Sequence, residues 1–137
     1  MFSVARVFSF SYGHRLYRYE GKCRRLHGHN ARVRVEVQGE DCAALDDQGM
    51  ALDFVKLKDT LGRWLDESLD HRVFLAREDP LVPLLTNAGD PPICFDGNPT
   101  AEAFAKLIYD RALEEGLNVV RVDFWETDKC RATYSRP

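Results

Sequence analysis

Residues 31–38 alternate between apolar and polar side chains without a break. A period of two is typical of a β-strand with one buried and one solvated face. The apolar parity holds Ala31, Val33, Val35 and Val37, and the polar parity holds Arg32, Arg34, Glu36 and Gln38. The segment therefore predicts a sheet with one covered face. The strand begins near His27, and both His27 and His29 share the parity of the valines, so their imidazoles should point to the buried side.

Two further stretches show the same period. The even positions from Phe2 to His14 are apolar or aromatic except for Arg6, which predicts a strand that ends at His14. Residues 120–126 repeat the pattern with Glu126 on the apolar parity, and residues 132–134 are a candidate return strand. Together these segments predict a four-stranded antiparallel sheet.

Two helices are predicted from apolar residues at helical spacing. Asp53 can cap the first helix, which ends at Asp70-His71, and Asn98 or Thr100 can cap the second, which Gly116 closes. Their apolar stripes are Phe54, Leu57, Leu61, Trp64, Leu65 and Leu69 in the first, and Phe104, Leu107, Ile108 and Leu113 in the second.

The segment between the helices, residues 76–98, contains four prolines and two glycines and predicts a long loop, with a candidate short strand at 93–95. The order of elements favours an α+β fold with an antiparallel sheet and both helices on one face. A chain of 137 residues without an internal break in composition predicts a single domain, residues 1–137.

Charge and cysteine usage limit the function classes. With 19 basic and 22 acidic residues the formal charge is -3, which gives no overall electrostatic reason to expect nucleic acid or an anionic membrane. The N-terminus lacks the pattern of a secretory signal, and no apolar run is long enough to span a membrane. Four scattered cysteines without a C-x-x-C pair predict free thiols. We therefore expect a cytoplasmic protein.

Three of the four histidines lie at the adjoining ends of the first two strands. If those strands pair as a hairpin, His27 and His29 share one face and His14 lies opposite them. Three imidazole nitrogens can then bind one Zn²⁺ and leave a fourth position for water or substrate, which is the arrangement of a catalytic zinc site.

Alternatives to a catalytic zinc site remain open at this stage. Cys23 lies close enough in sequence to complete a closed Cys-His-His-His site, which would make the chain a non-catalytic, zinc-stabilised binding module. A cupin is conceivable from the pair His27 and His29, but Glu36 lies further downstream than the glutamate of that motif. Each histidine can also be an ordinary half-buried polar residue.

Cys23 is the candidate proton-transfer residue nearest the histidines. Its neighbours Lys22, Arg24 and Arg25 favour the thiolate, which can act as a general base. The alternatives are a buried structural cysteine and, for the three cations, either a solvated turn or contacts with substrate phosphates.

Asp70-His71 and Glu126 are further candidates. Asp70 can orient His71 and hold it as an imidazolium for proton transfer, although a histidine at a helix end also has a structural explanation. Glu126 at the end of an apolar strand face is either a buried ion-pair partner or a bidentate acceptor for a guanidine-like ligand edge.

Four short motifs occur in order along the chain: Lys22-Cys23-Arg24-Arg25-Leu26-His27-Gly28-His29, Leu69-Asp70-His71, Pro99-Thr100-Ala101-Glu102 and Glu126-Thr127. Through these four motifs and their order, the chain resembles the 6-pyruvoyl-tetrahydropterin synthase superfamily, and most closely its QueD-type 6-carboxy-tetrahydropterin synthase branch. The resemblance extends from His14 to Tyr134, and four ordered motifs are a specific signature.

The resemblance implies a role for each candidate residue. The zinc ligands would be His14, His27 and His29. Cys23 would be the catalytic base, with Asp70 and His71 as its relay partners. Glu126, Thr100 and Glu102 would bind the pterin. It also implies a tunnelling fold that oligomerises into a barrel, a trimer or hexamer with active sites between subunits, and a small-molecule pterin substrate.

The implied reaction converts 7,8-dihydroneopterin triphosphate to 6-carboxy-5,6,7,8-tetrahydropterin, with release of acetaldehyde and triphosphate, on the route to queuosine. The branch is indicated by the three residues that separate Cys23 from His27, because the biopterin-pathway enzymes carry a longer insertion there. The rivals on the same site are 6-pyruvoyl-tetrahydropterin synthesis and side-chain cleavage of dihydroneopterin. Two departures from the family pattern are Tyr12-Gly13 before His14 and the long loop 76–98.

Overall fold

Six strands form one sheet in the computed structural model, which describes the whole chain from Met1 to Pro137. They are β1 (Val4–His14), β2 (His27–Gln38), β3 (Arg72–Ala76), β4 (Ile93–Phe95), β5 (Asn118–Thr127) and β6 (Cys130–Ser135). They lie in the order β4-β3-β1-β2-β5-β6. The pairs β1–β2, β2–β5 and β5–β6 are antiparallel, whereas β3 runs parallel to β1, and β4 runs parallel to β3.

The predicted antiparallel sheet is present as β1, β2, β5 and β6, but the sheet has six strands rather than four. Strands β3 and β4 extend it at the β1 edge. Sequence periodicity did not indicate β3 because it follows His71 directly and has only five residues, too few to show a clear alternation. Strand β4 confirms the candidate short strand at 93–95.

The helices largely follow the predicted segments. Helix α1 (Phe54–Leu57) continues as π-helical turns at Lys58–Gly62 and Leu65–Leu69, and α3 spans Ala101–Glu114. The Asp53 side chain caps α1 by accepting a hydrogen bond from the Val55 amide at 2.9 Å. The Thr100 hydroxyl caps α3 by accepting one from the Ala103 amide at 3.2 Å. Gly116, with φ of +77°, follows the end of α3.

The segment predicted as a long loop contains a third helix, α2 (Leu81–Asn87). Its prolines suggested a loop, yet Pro80 is the N-cap and Pro83 lies in the first turn. Backbone N–H groups in the first turn of a helix have no partner within that helix, so a proline there removes no hydrogen bond.

One contiguous core lies between the sheet and the two longer helical segments. Tyr12, Phe10 and the buried residues of β2 face Leu61 of the first segment and Phe104 of α3 across this core. The Phe104 and Phe124 rings are stacked, with centroids 4.9 Å apart. Both helical segments therefore cover the same face of the sheet, as predicted for the α+β fold.

Two residues assigned to the apolar stripes are exposed instead. Phe54 and Leu113 are each 51% exposed to solvent, because each lies at an end of its helical segment, beyond the edge of the core. A bulge in the β2–β5 pairing also places Val119, rather than Val120, on the fully buried side.

No helix combines the length and the apolar character that a membrane crossing requires.

We expect Leu61→Ala to lower the free energy of unfolding by about 2–5 kcal/mol, since Leu61 is fully buried and its truncation leaves a cavity between helix and sheet. The matched control is Leu113→Ala, on an exposed helical position, which should change that free energy by about 0.5 kcal/mol or less. Urea denaturation followed by circular dichroism measures both. Equal losses in the two variants would contradict the assigned core.

Candidate metal centre and adjoining cavities

Three histidines from β1 and β2 form a compact cluster. Antiparallel pairing sets His14 opposite His27 and Tyr12 opposite His29, so all three imidazoles leave the same face of the sheet. One ring nitrogen from each lies within 4.8 Å of the others, and the His14 and His27 Nε2 atoms are 3.2 Å apart. The predicted convergence of His14, His27 and His29 is therefore present.

Backbone carbonyls fix the tautomers of two of these rings. His14 Nδ1 donates to the Pro99 carbonyl at 2.7 Å, and His27 Nδ1 donates to the Arg25 carbonyl at 2.6 Å. A carbonyl oxygen only accepts, so each neutral ring carries its proton on Nδ1 and presents the Nε2 lone pair to the other ring. Two facing lone pairs 3.2 Å apart repel each other, and a cation bound beside both nitrogens removes that repulsion.

His29 supplies a third unpaired nitrogen. Its Nε2 is buried and has no hydrogen-bond partner. A buried polar atom without a partner costs about 1–3 kcal/mol, and a metal ion removes that cost by accepting the lone pair. The three histidines thus fit a divalent metal ion, and nitrogen donors suit Zn²⁺ among others.

Burial keeps two of the candidate ligands neutral. Desolvation lowers the pKa of His14. The Pro99 carbonyl and the Glu126 carboxylate raise it, but their effect is smaller than that of burial. Desolvation also lowers the pKa of His29. Neutral imidazole is the form that binds metal, so both rings are available as ligands at neutral pH.

Tyr12 and Glu126 complete the wall of the cluster. The Tyr12 hydroxyl donates to Glu126 Oε1 at 3.2 Å, and the same oxygen lies 3.4 Å from His14 Nε2 and 3.8 Å from His29 Nε2. Burial first, and then the Glu126 carboxylate, raises the pKa of Tyr12, so the hydroxyl keeps its proton and remains a donor. Glu126 is therefore aimed at His14 and His29.

A cavity of about 230 Å³ opens on the His14 side of the cluster. It brings together several of the predicted site residues: His14, Cys23, Thr100, Glu102 and Glu126. Arg131 and Cys130 also line it. Cys23 is absent from the metal-ligand cluster, so the geometry favours an open three-histidine centre over a closed Cys-His-His-His site.

Asp70 and His71 form the predicted pair. Asp70 Oδ2 lies 2.8 Å from His71 Nδ1, and Asp70 Oδ1 accepts from the Ser11 amide at 2.8 Å. The Ser11 hydrogen bond is the main reason that the pKa of Asp70 is lowered, so the carboxylate is charged and can orient an imidazolium. His71 adopts a φ of +61° and donates its amide to the Ser11 carbonyl, which holds this unfavourable conformation against β1.

His71 and Cys23 line different cavities beside the metal cluster. His71 lines an open cavity of about 510 Å³ together with Tyr12, His27 and His29, and this cavity shares no lining residue with the one that contains Cys23. The His71 side chain is 81% exposed. Within one chain, the structure thus does not bring Cys23 and His71 to the same cavity.

Two features of the site had no assigned function in the sequence reasoning. Tyr12 shares the parity of His14, a signal that placed it on the buried face but did not reveal its hydrogen bond to Glu126. The carbonyls of Pro99 and Arg25 carry no side-chain signal at all, because any residue supplies a carbonyl.

Solved structures share this fold over nearly the whole chain. An uncharacterized protein from Wolinella succinogenes superposes with a TM-score of 0.77 at 27% identity and covers 99% of this chain and 98% of its own. The 6-pyruvoyl tetrahydropterin synthase of Caenorhabditis elegans has a TM-score of 0.71 at 27% identity, covering 99% and 96%.

Sequence comparison gives the family. The model of the 6-pyruvoyl tetrahydropterin synthase family matches residues 3–137, and the chain belongs to this family. Its α+β architecture is the tunnelling fold predicted from the resemblance.

Curated relatives carry a more specific name. Two proteins named 6-carboxy-5,6,7,8-tetrahydropterin synthase are similar to this chain: the one from Aquifex aeolicus is 32% identical and covers 96% of both chains, and the one from Haemophilus influenzae is 30% identical and covers 93% of this chain and 94% of its own.

We expect His29→Ala to weaken metal binding by at least about 100-fold, because it removes one of three protein ligands. His71→Ala is the matched control, since it removes an exposed imidazole outside the cluster and should leave metal binding unchanged. Metal content after dialysis, measured by mass spectrometry, and Co²⁺ titration followed by absorbance test both variants. Equal metal retention by the two would exclude the three-histidine centre.

Proposed function

We propose that this protein is a zinc-dependent lyase of the 6-carboxy-tetrahydropterin synthase type. Its substrate would be 7,8-dihydroneopterin triphosphate, and with water it would form 6-carboxy-5,6,7,8-tetrahydropterin, acetaldehyde and triphosphate on the route to queuosine. The observation that carries the proposal is the cluster of three histidine nitrogens beside a cavity lined by Cys23 and Glu126. The names of the curated relatives support the choice of product.

Substrate binding is assigned to the cavity of about 230 Å³. The Glu126 carboxylate would accept hydrogen bonds from the amino group and the adjacent ring N–H of the pterin, a planar edge that suits a bidentate carboxylate. Thr100 and Glu102 at the start of α3 line the same cavity and would contact the pterin ring. Tyr12 would hold Glu126 in place through its hydroxyl.

The three histidines would hold Zn²⁺, which supplies a Lewis acid for the side-chain hydroxyls of the pterin when bound. Cys23 as thiolate would remove a proton from that side chain, and His71 would carry a proton while the Asp70 carboxylate holds its ring through Nδ1. No redox cofactor is required, because oxidation of the side chain reduces the pterin ring within the same molecule.

A second copy of the chain would complete the site. Cys23 and His71 line different cavities, and the exposed His71 side chain is free to reach a neighbouring molecule. We therefore assign Cys23 and the Asp70–His71 pair of one site to two subunits of a homo-oligomer, a trimer or hexamer. The cytosol is the proposed compartment, because the four cysteines are free.

Incubation of zinc-loaded protein with dihydroneopterin triphosphate should give 6-carboxy-tetrahydropterin, identified by mass spectrometry. Cys23→Ala should keep its zinc and lose about 100-fold or more of the turnover, because it removes the proposed base but no ligand. A 6-pyruvoyl or 6-hydroxymethyl product would keep the site and reject the proposed reaction. Loss of zinc from Cys23→Ala would instead favour the structural Cys-His-His-His alternative.

Shared sites predict complementation between two inactive variants. Co-expressed Cys23→Ala and His71→Ala chains should regain up to about one quarter of the wild-type turnover, because random mixing leaves that share of interfaces with both intact groups. Each variant expressed alone is the control. Turnover no higher than that of the single variants, in a mixed oligomer verified by differential tags, would show that both residues of a site come from one chain.

A further inference from the structure

Glu126 stands at an irregular position of the sheet. In the pairing of β5 with β6, Trp125 lies opposite Arg131. The next pair joins Thr127 to Cys130, so Glu126 is the extra residue of a β-bulge. A bulge interrupts the ladder and can re-aim a side chain beside a functional site. Here the bulge lies next to the metal centre, and the Glu126 carboxylate reaches two of the three histidines.

The distances around this carboxylate fit the coordination of one metal ion. Donor atoms of a tetrahedral Zn²⁺ site lie about 3.3 Å from one another, because each is about 2.0–2.1 Å from the ion. The Nε2 atoms of His14 and His27 are 3.2 Å apart. Glu126 Oε1 in turn lies 3.4 Å from His14 Nε2 and 3.8 Å from His29 Nε2. These separations are close to the edges of one coordination tetrahedron, with Oε1 at a corner of its own.

Hydrogen bonding does not explain the approach of Glu126 to His14. The proton of the neutral His14 ring is on Nδ1, which donates to the Pro99 carbonyl, so the Nε2 that faces Glu126 carries a lone pair. A carboxylate oxygen and a nitrogen lone pair repel each other at this distance. A metal ion that binds both atoms replaces this repulsion with two coordination bonds. The same ion also removes the repulsion between His14 and His27.

Tyr12 holds the carboxylate in this position. Its hydroxyl donates at 3.2 Å to Glu126 Oε1, the same oxygen that faces the histidines. The phenol ring is only 3% exposed and contacts both His14 and Phe104, with ring centroids 5.1 and 4.8 Å away. Carboxylates that bind a metal are commonly oriented by a further hydrogen bond of this kind. Tyr12 also belongs to one of the departures from the family pattern, so this support comes from a residue particular to the chain.

We propose that Glu126 is the fourth ligand of the metal centre in the resting protein and that the pterin displaces it. The displacement rests on the proposed function, which assigns the same carboxylate to the pterin edge. A carboxylate oxygen has two lone-pair sites, and on Oε1 the Tyr12 hydroxyl and the metal ion would take both. The pterin edge can therefore engage both oxygens of Glu126 only after Oε1 has left the metal.

The exchange would couple the arrival of the substrate to the opening of the metal centre. Glu126 and His14 line the cavity of Cys23, whereas His27 and His29 line the other cavity. The carboxylate therefore faces both the metal position and the cavity assigned to the substrate. When the pterin takes the carboxylate, one coordination position becomes free for the side-chain hydroxyls of the same molecule. Until then, the carboxylate would keep other ligands away from that position.

The ligand role is tested without any pterin. Glu126→Gln should raise the Kd for Zn²⁺, measured by competition with a chromophoric chelator, by at least about 10-fold, and should shift the visible absorbance bands of the Co²⁺-loaded protein. Glu102→Gln is the matched control, because it makes the same change in the same cavity on a carboxylate that forms no ion pair with the histidines. Equal metal affinities and equal Co²⁺ spectra in the two variants would overturn the proposal.

Tyr12→Phe distinguishes support of the ligand from general stability. Removal of the hydroxyl alone should raise the Kd for Zn²⁺ by about 10-fold in the wild type and have no further effect in Glu126→Gln, because Tyr12 acts through that carboxylate. Tyr109→Phe is the control, since it removes the hydroxyl of another buried tyrosine of the same core, which donates to the Val119 carbonyl. Losses that add in the two backgrounds would contradict this role of Tyr12.

The displacement is tested with 6-methylpterin, which has the pterin edge but no side-chain hydroxyl, and its binding to the zinc-loaded protein is followed by calorimetry. Saturating 6-methylpterin should raise the Kd of the wild type for Zn²⁺ by at least about 5-fold, because metal and pterin compete for Glu126, and should leave that of Glu126→Gln unchanged. An unchanged or lower Kd with 6-methylpterin bound overturns the displacement. Absence of 6-methylpterin binding, with weakened metal binding in Glu126→Gln, would support the ligand role and reject the proposed pterin function.

Discussion

Antiparallel pairing of β1 with β2 places His14 opposite His27 and Tyr12 opposite His29, and the metal centre depends on this register. A slip of one residue would send every side chain of β1 to the other face, so His14 would leave the cluster. The hydrophobic core prevents the slip, because the same shift would expose Phe10 and Tyr12. The apolar pattern that folds the sheet therefore also assembles the ligands.

Two loop segments supply the backbone carbonyls that orient the imidazoles of the metal centre. The Pro99 carbonyl comes from the turn before α3 and the Arg25 carbonyl from the turn before β2, and each orients one imidazole from outside the strand that carries it. The segment that contains Asn98 also holds the loop between β1 and β2, because the Asn98 side chain bonds both the amide and the carbonyl of Tyr17. The orientation of the metal-ligand candidates therefore depends on two backbone carbonyls that lie outside regular structure.

Side-chain periodicity predicted which residues face the buried side of the sheet. The parity of His14, His27 and His29 followed from alternation, and the caps at Asp53 and Thr100 followed from residue type. Periodicity could not predict contacts that depend on tertiary distance, such as the bond between Tyr12 and Glu126 or the separation of Cys23 from His71. Strand β3 and helix α2 were not predicted, because both are too short to show a clear period. In α2, a proline in the first turn also suggested a loop.

The unpartnered Nε2 of His29 and the facing lone pairs of His14 and His27 have a consequence for folding as well as chemistry. Burying three nitrogens without a cation opposes the native state, whereas an ion that binds only the native state stabilises it in proportion to the logarithm of its free concentration. The folding equilibrium of this chain is thereby linked to the supply of metal. A cell short of the ion would hold less folded protein, in addition to less active protein.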